Sequence, residues 1–249
     1  MANQSSKKVR LDKLLFERGL VESREKAKAL ILAGNVLVNG QVVDKAGSLV
    51  KLDDSVSLKE RLRYVSRGGL KLEQALHEFN IDVKGVIAMD VGASTGGFTD
   101  CLLQNGARKV YAIDVGYGQF DIKLRNDERV VLLEKTNIRY LEKEKVEDAI
   151  NIAVIDVSFI SLLKVIPRVM EFLQEEAEIV ALIKPQFEVG RKDVGKGGVV
   201  KDEEKRRAAV ARIKSESEKI GLTVAGITES PLKGPKGNVE YLIYLRKLR

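Results

Sequence analysis

A-M-D-V-G-A-S-T-G-G-F, residues 88–98, decides how the rest of the chain is read. An apolar run over 85–91 stops in a loop with glycine at 92, 96 and 97, and a helical pattern begins at once with Phe98. This is a strand, a glycine turn and a helix start, which open α/β sheets place at the carboxyl ends of their strands to bind nucleotide-like ligands. The spacing G-x-x-x-G-G is neither the G-x-G-x-x-G of dinucleotide sites nor a phosphate-cradling loop ending in Gly-Lys-Ser/Thr. Asp114 closes a second apolar stretch, K-V-Y-A-I-D-V at 109–115, and stands where nucleoside sites carry the acid that reads a ribose hydroxyl. A glycine turn with such an acid and no phosphate grip points to S-adenosylmethionine, a nucleoside without phosphates. On this reading Asp90, Gly92, Ser94, Gly96 and Gly97 surround the methionine end, Asp114 takes the ribose hydroxyls, and Asn137 and Ile138 flank the adenine.

Outward from the loop the pattern is β-α repeated. Apolar runs recur at 130–133, 152–157 and 178–183, with helical stretches between most of them, so a parallel sheet covered on both faces is expected. The end differs. Runs at 222–228 and 239–245 are joined by L-K-G-P-K-G-N, which is too short for a crossover helix, so these two strands must be antiparallel. A parallel sheet with an antiparallel last strand is the plan of Rossmann-like methyltransferases rather than of dehydrogenases. Four charged residues fall at element ends around one rim of this sheet: Lys71, Asp156, Lys184 and Glu240. Buried charge costs several kcal/mol unless paired, and the carboxyl ends of parallel strands are where sites are built.

Composition sets the bounds. The 249 residues are 44% apolar and 32% charged, enough for one large domain and a small one. No apolar stretch is long enough to span a membrane and residues 1–10 are polar, so a cytoplasmic protein is expected. One Cys, Cys101, and one His, His77, leave no usual zinc cluster or Cys/His triad, and no metal is expected. Cys101 reads as a small core residue and His77 as structural or solvated. The formal charge of +7 favours an anionic partner.

Most of that charge lies early. Residues 1–63 hold 13 Lys and Arg against 8 Asp and Glu and read as a separate module. Two short helices are expected over 10–17 and 24–33, then a hairpin over 36–43 turning at Asn39-Gly40, then a strand over 48–58. Arg24 and Lys28 share a helical face that Arg10 and Arg18 could join; these four are candidate RNA-binding residues, although the pattern is equally that of a merely solvated surface. Residues 64–84 read as a linker and leading helix, with Arg67 facing RNA or serving a hinge at Gly68-Gly69; residues 85–249 form the large domain. The stretch 188–200 reads either as a mobile lid or as an exposed flexible loop.

Two resemblances add to this reading. R-L-D-K-L-L-F-E-R-G-L-V-E-S-R-E-K-A-K-A-L-I-L-A-G-N-V-L-V-N-G is similar to the small α+β RNA-binding domain first seen in a ribosomal small-subunit protein, which implies phosphate contacts from Arg10, Arg24 and Lys28. S-R-G-G-L-K-L, D-V-G-A-S-T-G-G-F-T-D, A-I-D-V-G-Y-G-Q, D-V-S-F-I-S, L-I-K-P-Q-F-E and G-N-V-E-Y-L resemble the TlyA or hemolysin A family, whose catalytic half is FtsJ-like. That resemblance covers essentially the full length. It implies a Lys71, Asp156, Lys184 and Glu240 catalytic tetrad, S-adenosylmethionine as cofactor, and methylation of a cytidine ribose 2′-hydroxyl in ribosomal RNA. The partner would be ribosomal RNA or a ribosomal subunit; oligomeric state is left open. A 2′-hydroxyl is a poor nucleophile and a sulfonium a reactive donor, so the enzyme must chiefly align the two and place a proton. Lys184 is the candidate to touch the hydroxyl, either as a base or as a charged group that orients it.

Two rival readings stand beside this one. A membrane-active haemolysin lacks support from any spanning segment, secretion signal or basic amphipathic helix with aromatic anchors. A non-catalytic RNA-binding protein would use the four rim residues only as a salt-bridge network.

Overall fold

The computed structural model describes residues 8–58 and 63–248, so the ends of the chain and residues 59–62 of the junction lie outside the described residues. The chain divides into two compact units, Met1–Arg61 and Leu62–Arg249.

The small unit contains β1 (Lys8–Arg10), α1 (Leu11–Glu17), α2 (Arg24–Leu32), β2 (Val36–Val38), β3 (Gln41–Val42), β4 (Leu49–Lys51) and β5 (Val56–Leu58). Ser23 caps α2 by accepting from the Lys26 N–H at 3.1 Å. The hairpin turns at Asn39 (φ 50°) and Gly40 (φ 79°), the left-handed pair a type I′ turn requires. The single strand expected over 48–58 is two strands. Asp54 breaks it by accepting from the Lys51 N–H at 2.7 Å and from Asn39 Nδ2 at 2.9 Å, which folds the chain into a turn between β4 and β5. β4 pairs with β1 and β5 with β2. Leu11, Leu15, Ala27, Ile31 and Val36 are fully buried and make the core.

The large unit runs α3 (Gly68–Glu78), β6 (Ile87–Val91), α4 (Gly97–Gln104), β7 (Lys109–Ile113), α5 (Ile122–Arg125), β8 (Val130–Leu133), β9 (Ile150–Ile155), α6 (Ile166–Met170), β10 (Leu173–Ile183), α7 (Pro185–Glu188), α8 (Glu203–Lys219), β11 (Leu222–Glu229) and β12 (Tyr241–Lys247). Seven strands form one sheet in the order β11-β12-β10-β9-β6-β7-β8. β12 is antiparallel to both its neighbours, and the β6, β7, β8, β9 and β10 pairings are parallel. The expected reversed strand is therefore present, inserted between β10 and β11 rather than added at the edge.

Side-chain alternation assigns the two faces. Ala88, Val110, Val154, Val180 and Leu242 pack on one side with Leu72 and Leu76 of α3 and with Cys101 and Leu102 of α4. Met89, Ile113, Ile155, Ile179 and Ile243 pack on the other with Ile166 and Val169 of α6 and Ile213 of α8. Both faces are covered, so the central strands read as continuous apolar runs. Asp114 and Asp156 each lie one residue beyond a strand end, β7 and β9 respectively, in keeping with their expected places at the carboxyl ends of strands.

Candidate active site

The loop after β6 is shaped by its neighbours. Gly92 has φ +89°, and a Cβ there would collide with the Asp156 carbonyl, so glycine is needed for both the turn and the close approach of the two strand ends. Gly92 and Ala93 donate to the Ile113 carbonyl at 2.8 and 3.2 Å, and Asp156 N donates to Val91 O at 2.9 Å. The Asp114 carboxylate accepts from Ser94 N at 2.7 Å and from Gly116 N at 2.6 Å, which binds the loops after β6 and β7 together.

Two cavities open on these loops. The larger, about 890 Å³, is bounded by Gly92, Ser94, Asp114, Asn137, Ile138 and Asp156. The smaller, about 500 Å³, carries Arg67, Lys71, Lys233 and Lys236 together with Thr95 and Asp156. Both include Gly92, Ser94 and Asp156, so Asp156 stands where the two meet. One lobe is lined for a neutral or mildly cationic nucleoside and the other for an anion.

The four rim residues come together as two ion pairs. Lys184 Nζ lies 2.5 Å from Asp156 Oδ1 and donates to Ser158 Oγ at 2.9 Å. Lys71 Nζ donates to Glu240 Oε2 at 2.6 Å. That second pair explains a lysine in the first turn of α3, where the helix dipole disfavours a cation. Glu240 is buried, and its other oxygen, Oε1, has no hydrogen-bond partner among the described residues. Gly234 lies against the Glu240 carboxylate so closely that a Cβ would overlap it.

Other expected site residues take different places. Asp90 borders neither cavity: it is wholly buried on the α4 side of the sheet, where Oδ2 accepts from Thr99 Oγ1 at 2.7 Å. Burial, opposed in part by the Thr99 bond, pushes its carboxyl up to about 7. Gly96 packs on Leu124 and Phe120, and Gly97 packs on Ser66 and Gly69 while bordering the smaller cavity, so these glycines are required by packing. Burial pushes the Cys101 thiol up to about 12, which makes it an inert core group, while His77 is exposed at the end of α3.

In the small unit, Asp12 is fully buried and accepts from Arg10 Nε at 2.9 Å and Arg24 Nη2 at 2.8 Å. Burial by itself pushes the Asp12 carboxyl up; the two arginine bonds overcome it and hold it at about 2. Arg18 donates to the carbonyls of Leu52 and Asp54 at 2.6 and 2.9 Å, which anchors the β4–β5 turn. Lys28 is exposed.

The stretch 188–200 is pinned rather than free. Lys205 and Arg206 of α8 hold Asp193 and the Val200 and Lys201 carbonyls, and Asn238 Nδ2 donates to Gly198 O at 2.9 Å. The sequence reading also missed Lys233 and Lys236, which it took as part of a hairpin loop, and Phe159. The Phe159 ring borders the larger cavity, is 90% exposed, and sits on a backbone with φ +64°. The only signal for it was its place three residues after Asp156 in D-V-S-F.

The description "FtsJ-like methyltransferase" matches residues 64–247. The chain belongs to this family. Its small unit matches the S4 domain over residues 9–56. A Bacillus subtilis protein named provisionally as an rRNA methyltransferase is 50% identical, over 97% of this chain and 86% of its own. The 16S/23S rRNA (cytidine-2′-O)-methyltransferase TlyA of Mycobacterium tuberculosis is 45% identical, over 97% of this chain and 91% of its own. A solved structure from Streptococcus thermophilus that carries a hemolysin name superposes with a TM-score of 0.75 at 44% identity, covering 98% of this chain and 90% of that one. No helix among the described residues is long and apolar enough to cross a membrane.

This FtsJ-like enzyme uses S-adenosylmethionine. The residues present fit it: the larger cavity is of ligand size, Gly92 lets the backbone come close, and Asp114 brings a carboxylate to the cavity wall.

Proposed function

We propose that the enzyme methylates the 2′-hydroxyl of a cytidine ribose in ribosomal RNA, with the S4 unit supplying affinity for the RNA and the two cavities supplying the chemistry. The carrying observation is the Lys184–Asp156 pair at the junction of a nucleoside-sized cavity and a cationic one. The names of the relatives support the substrate. Ribosomal RNA as substrate makes the enzyme cytoplasmic, with the ribosomal subunit as its partner.

S-adenosylmethionine supplies an electrophilic methyl group on a sulfonium. The chain's own residues bring the acceptor to it. Arg67, Lys233 and Lys236 hold the phosphates that flank the target ribose, as cations do throughout nucleic-acid recognition. Lys184, whose partners are a carboxylate and a hydroxyl, donates to the 2′ oxygen and fixes its direction. Asp156, common to both cavities, takes the hydroxyl proton as it is released. Lys71, held by Glu240, forms the cationic wall on the acceptor side. Phe159 offers an exposed aromatic face on which an unstacked base can rest. Alignment of this kind is worth roughly 7–11 kcal/mol of a barrier.

Nucleoside mass spectrometry of ribosomal RNA incubated with the protein and S-adenosylmethionine tests the reading. The expected product is 2′-O-methylcytidine, formed on subunits at least as well as on free RNA. A methyl group on a base, or no transfer to either substrate, would overturn it.

A further inference from the structure

Glu188 is the last residue of α7, the short helix that begins directly after Lys184. It is 5% exposed, and burial pushes its carboxyl above the usual range. An acid in such a place costs stability unless its lone pairs are used. Here they are used on one loop. Oε1 accepts from Leu162 N at 2.8 Å and Oε2 from Ser161 Oγ at 2.7 Å. Arg212 of α8 closes the arrangement from outside, with Nη2 3.2 Å from Oε2 and 2.7 Å from the Glu188 carbonyl.

The loop so held is the one that follows Asp156. Ser158 from this loop accepts from Lys184, and Phe159, Ile160 and Ser161 wall the larger cavity. A second contact runs alongside: the Phe187 ring, next to Glu188, packs on Phe159 with centroids 5.0 Å apart. The segment after Asp156 and the segment after Lys184 are thus fastened to each other just beyond the reacting pair. An apolar side chain would fill the space behind the loop, and it would leave Leu162 N and Ser161 Oγ without their acceptor.

We propose that Glu188 is a positioning residue for methyl transfer: by holding Ser161 and Leu162 it fixes the wall of the donor cavity and, through Ser158, the place of Lys184 against Asp156. The assignment rests on the function proposed above. Donor binding, measured without RNA, separates the two, since it does not depend on which acceptor is correct.

The test compares Glu188→Ala, Glu188→Gln and Ser161→Ala with Ile213→Ala, a cavity variant in the buried face of α8 that lowers stability without removing a hydrogen bond from the loop. All are assayed well below their unfolding temperatures, by calorimetric titration with S-adenosylmethionine and by kcat and KM on ribosomal RNA. Glu188→Ala is expected to weaken donor binding about tenfold and to lower kcat about tenfold, the size of effect that small misplacements produce. Glu188→Gln keeps an acceptor for Leu162 and a partner for Ser161, and is expected to recover donor binding to within about threefold. Ile213→Ala should lower Tm and leave donor binding unchanged. If Glu188→Ala fails to fold, Ser161→Ala decides, with a smaller weakening in the same direction. The proposal is overturned if the folded Glu188→Ala or Ser161→Ala protein binds the donor as the parent does, or if Ile213→Ala weakens binding by the same factor.

Discussion

The small unit and the rim of the large sheet both set cations against carboxylates, and they differ in whether the cation is withdrawn from water too. In the small unit one fully buried acid, Asp12, is shared by Arg10 and Arg24, which remain 49% and 44% exposed. At the rim each lysine has its own acid, and Lys184 and Lys71 are only 10% and 12% exposed. The first arrangement buries the anion and aims two guanidinium groups outward, with N–H donors left over for phosphate. The second buries the cations beside a cavity, where water is scarce and position matters more than charge. On the proposed function, ion pairing serves capture in one unit and chemistry in the other.

Substitutions should separate the two. The largest effect is expected from Lys184→Ala, which should abolish methyl transfer, by about a thousandfold or more, while donor affinity stays within a few-fold. Labelled-methyl transfer and calorimetry read the two quantities, and an active variant would sink the role given to Lys184. Glu240→Gln leaves Lys71 buried without its acid, so transfer should fall about a hundredfold and stability by about 3–5 kcal/mol. The double variant Lys71→Met with Glu240→Leu should recover much of the lost Tm and none of the activity. Recovery of both would make that pair structural only.

Asp12→Asn probes the other sense of pairing. It should weaken RNA binding about tenfold and leave kcat at saturating RNA unchanged, because the two arginines lose the group that orients them. The acid limb should change as well. Asp12 has a folded value of about 2 against an ordinary 3.8, so its stabilisation is full above about pH 4 and is lost as pH falls through about 2. Chemical denaturation across that range should show this loss in the parent and not in Asp12→Asn. Asp90 has the reverse sign. Its folded value of about 7 lies above 3.8, so the folded state holds a proton that the unfolded chain has released, and stability should decline as pH rises from about 4 to about 7. Asp90→Asn should flatten that decline, the smallest of the four effects; an unchanged slope would mean that Asp90 is ionised in the fold.

The fold was largely legible because buried parallel strands show as apolar runs, and because the loop before β12 is too short to cross over. The rim was legible because two acids and two lysines fall together at element ends and the family resemblance singles out the same four, although a charge at any one strand end is common. Asp90, expected at the methionine end, is buried beneath α4, a face that its period-two alignment with Ala88 already indicated. The tethers of 188–200 were invisible, since Lys205, Arg206 and Asn238 reach it from elsewhere in the chain. Arg18 read as an RNA contact because a helical face reports which residues are neighbours and not which carbonyls lie opposite. β1 spans three residues, too few for any period to register.

β12 lies between β10 and β11, both of which precede it in the chain. During synthesis, therefore, every residue that bounds the donor cavity has been made by Phe187, whereas the acceptor wall awaits Leu232, Lys233, Gly234, Lys236 and the strand that seats Glu240. On the proposed function, the half of the site that handles a diffusible small molecule is written first, and the half that commits the protein to an RNA target is the last to be supplied.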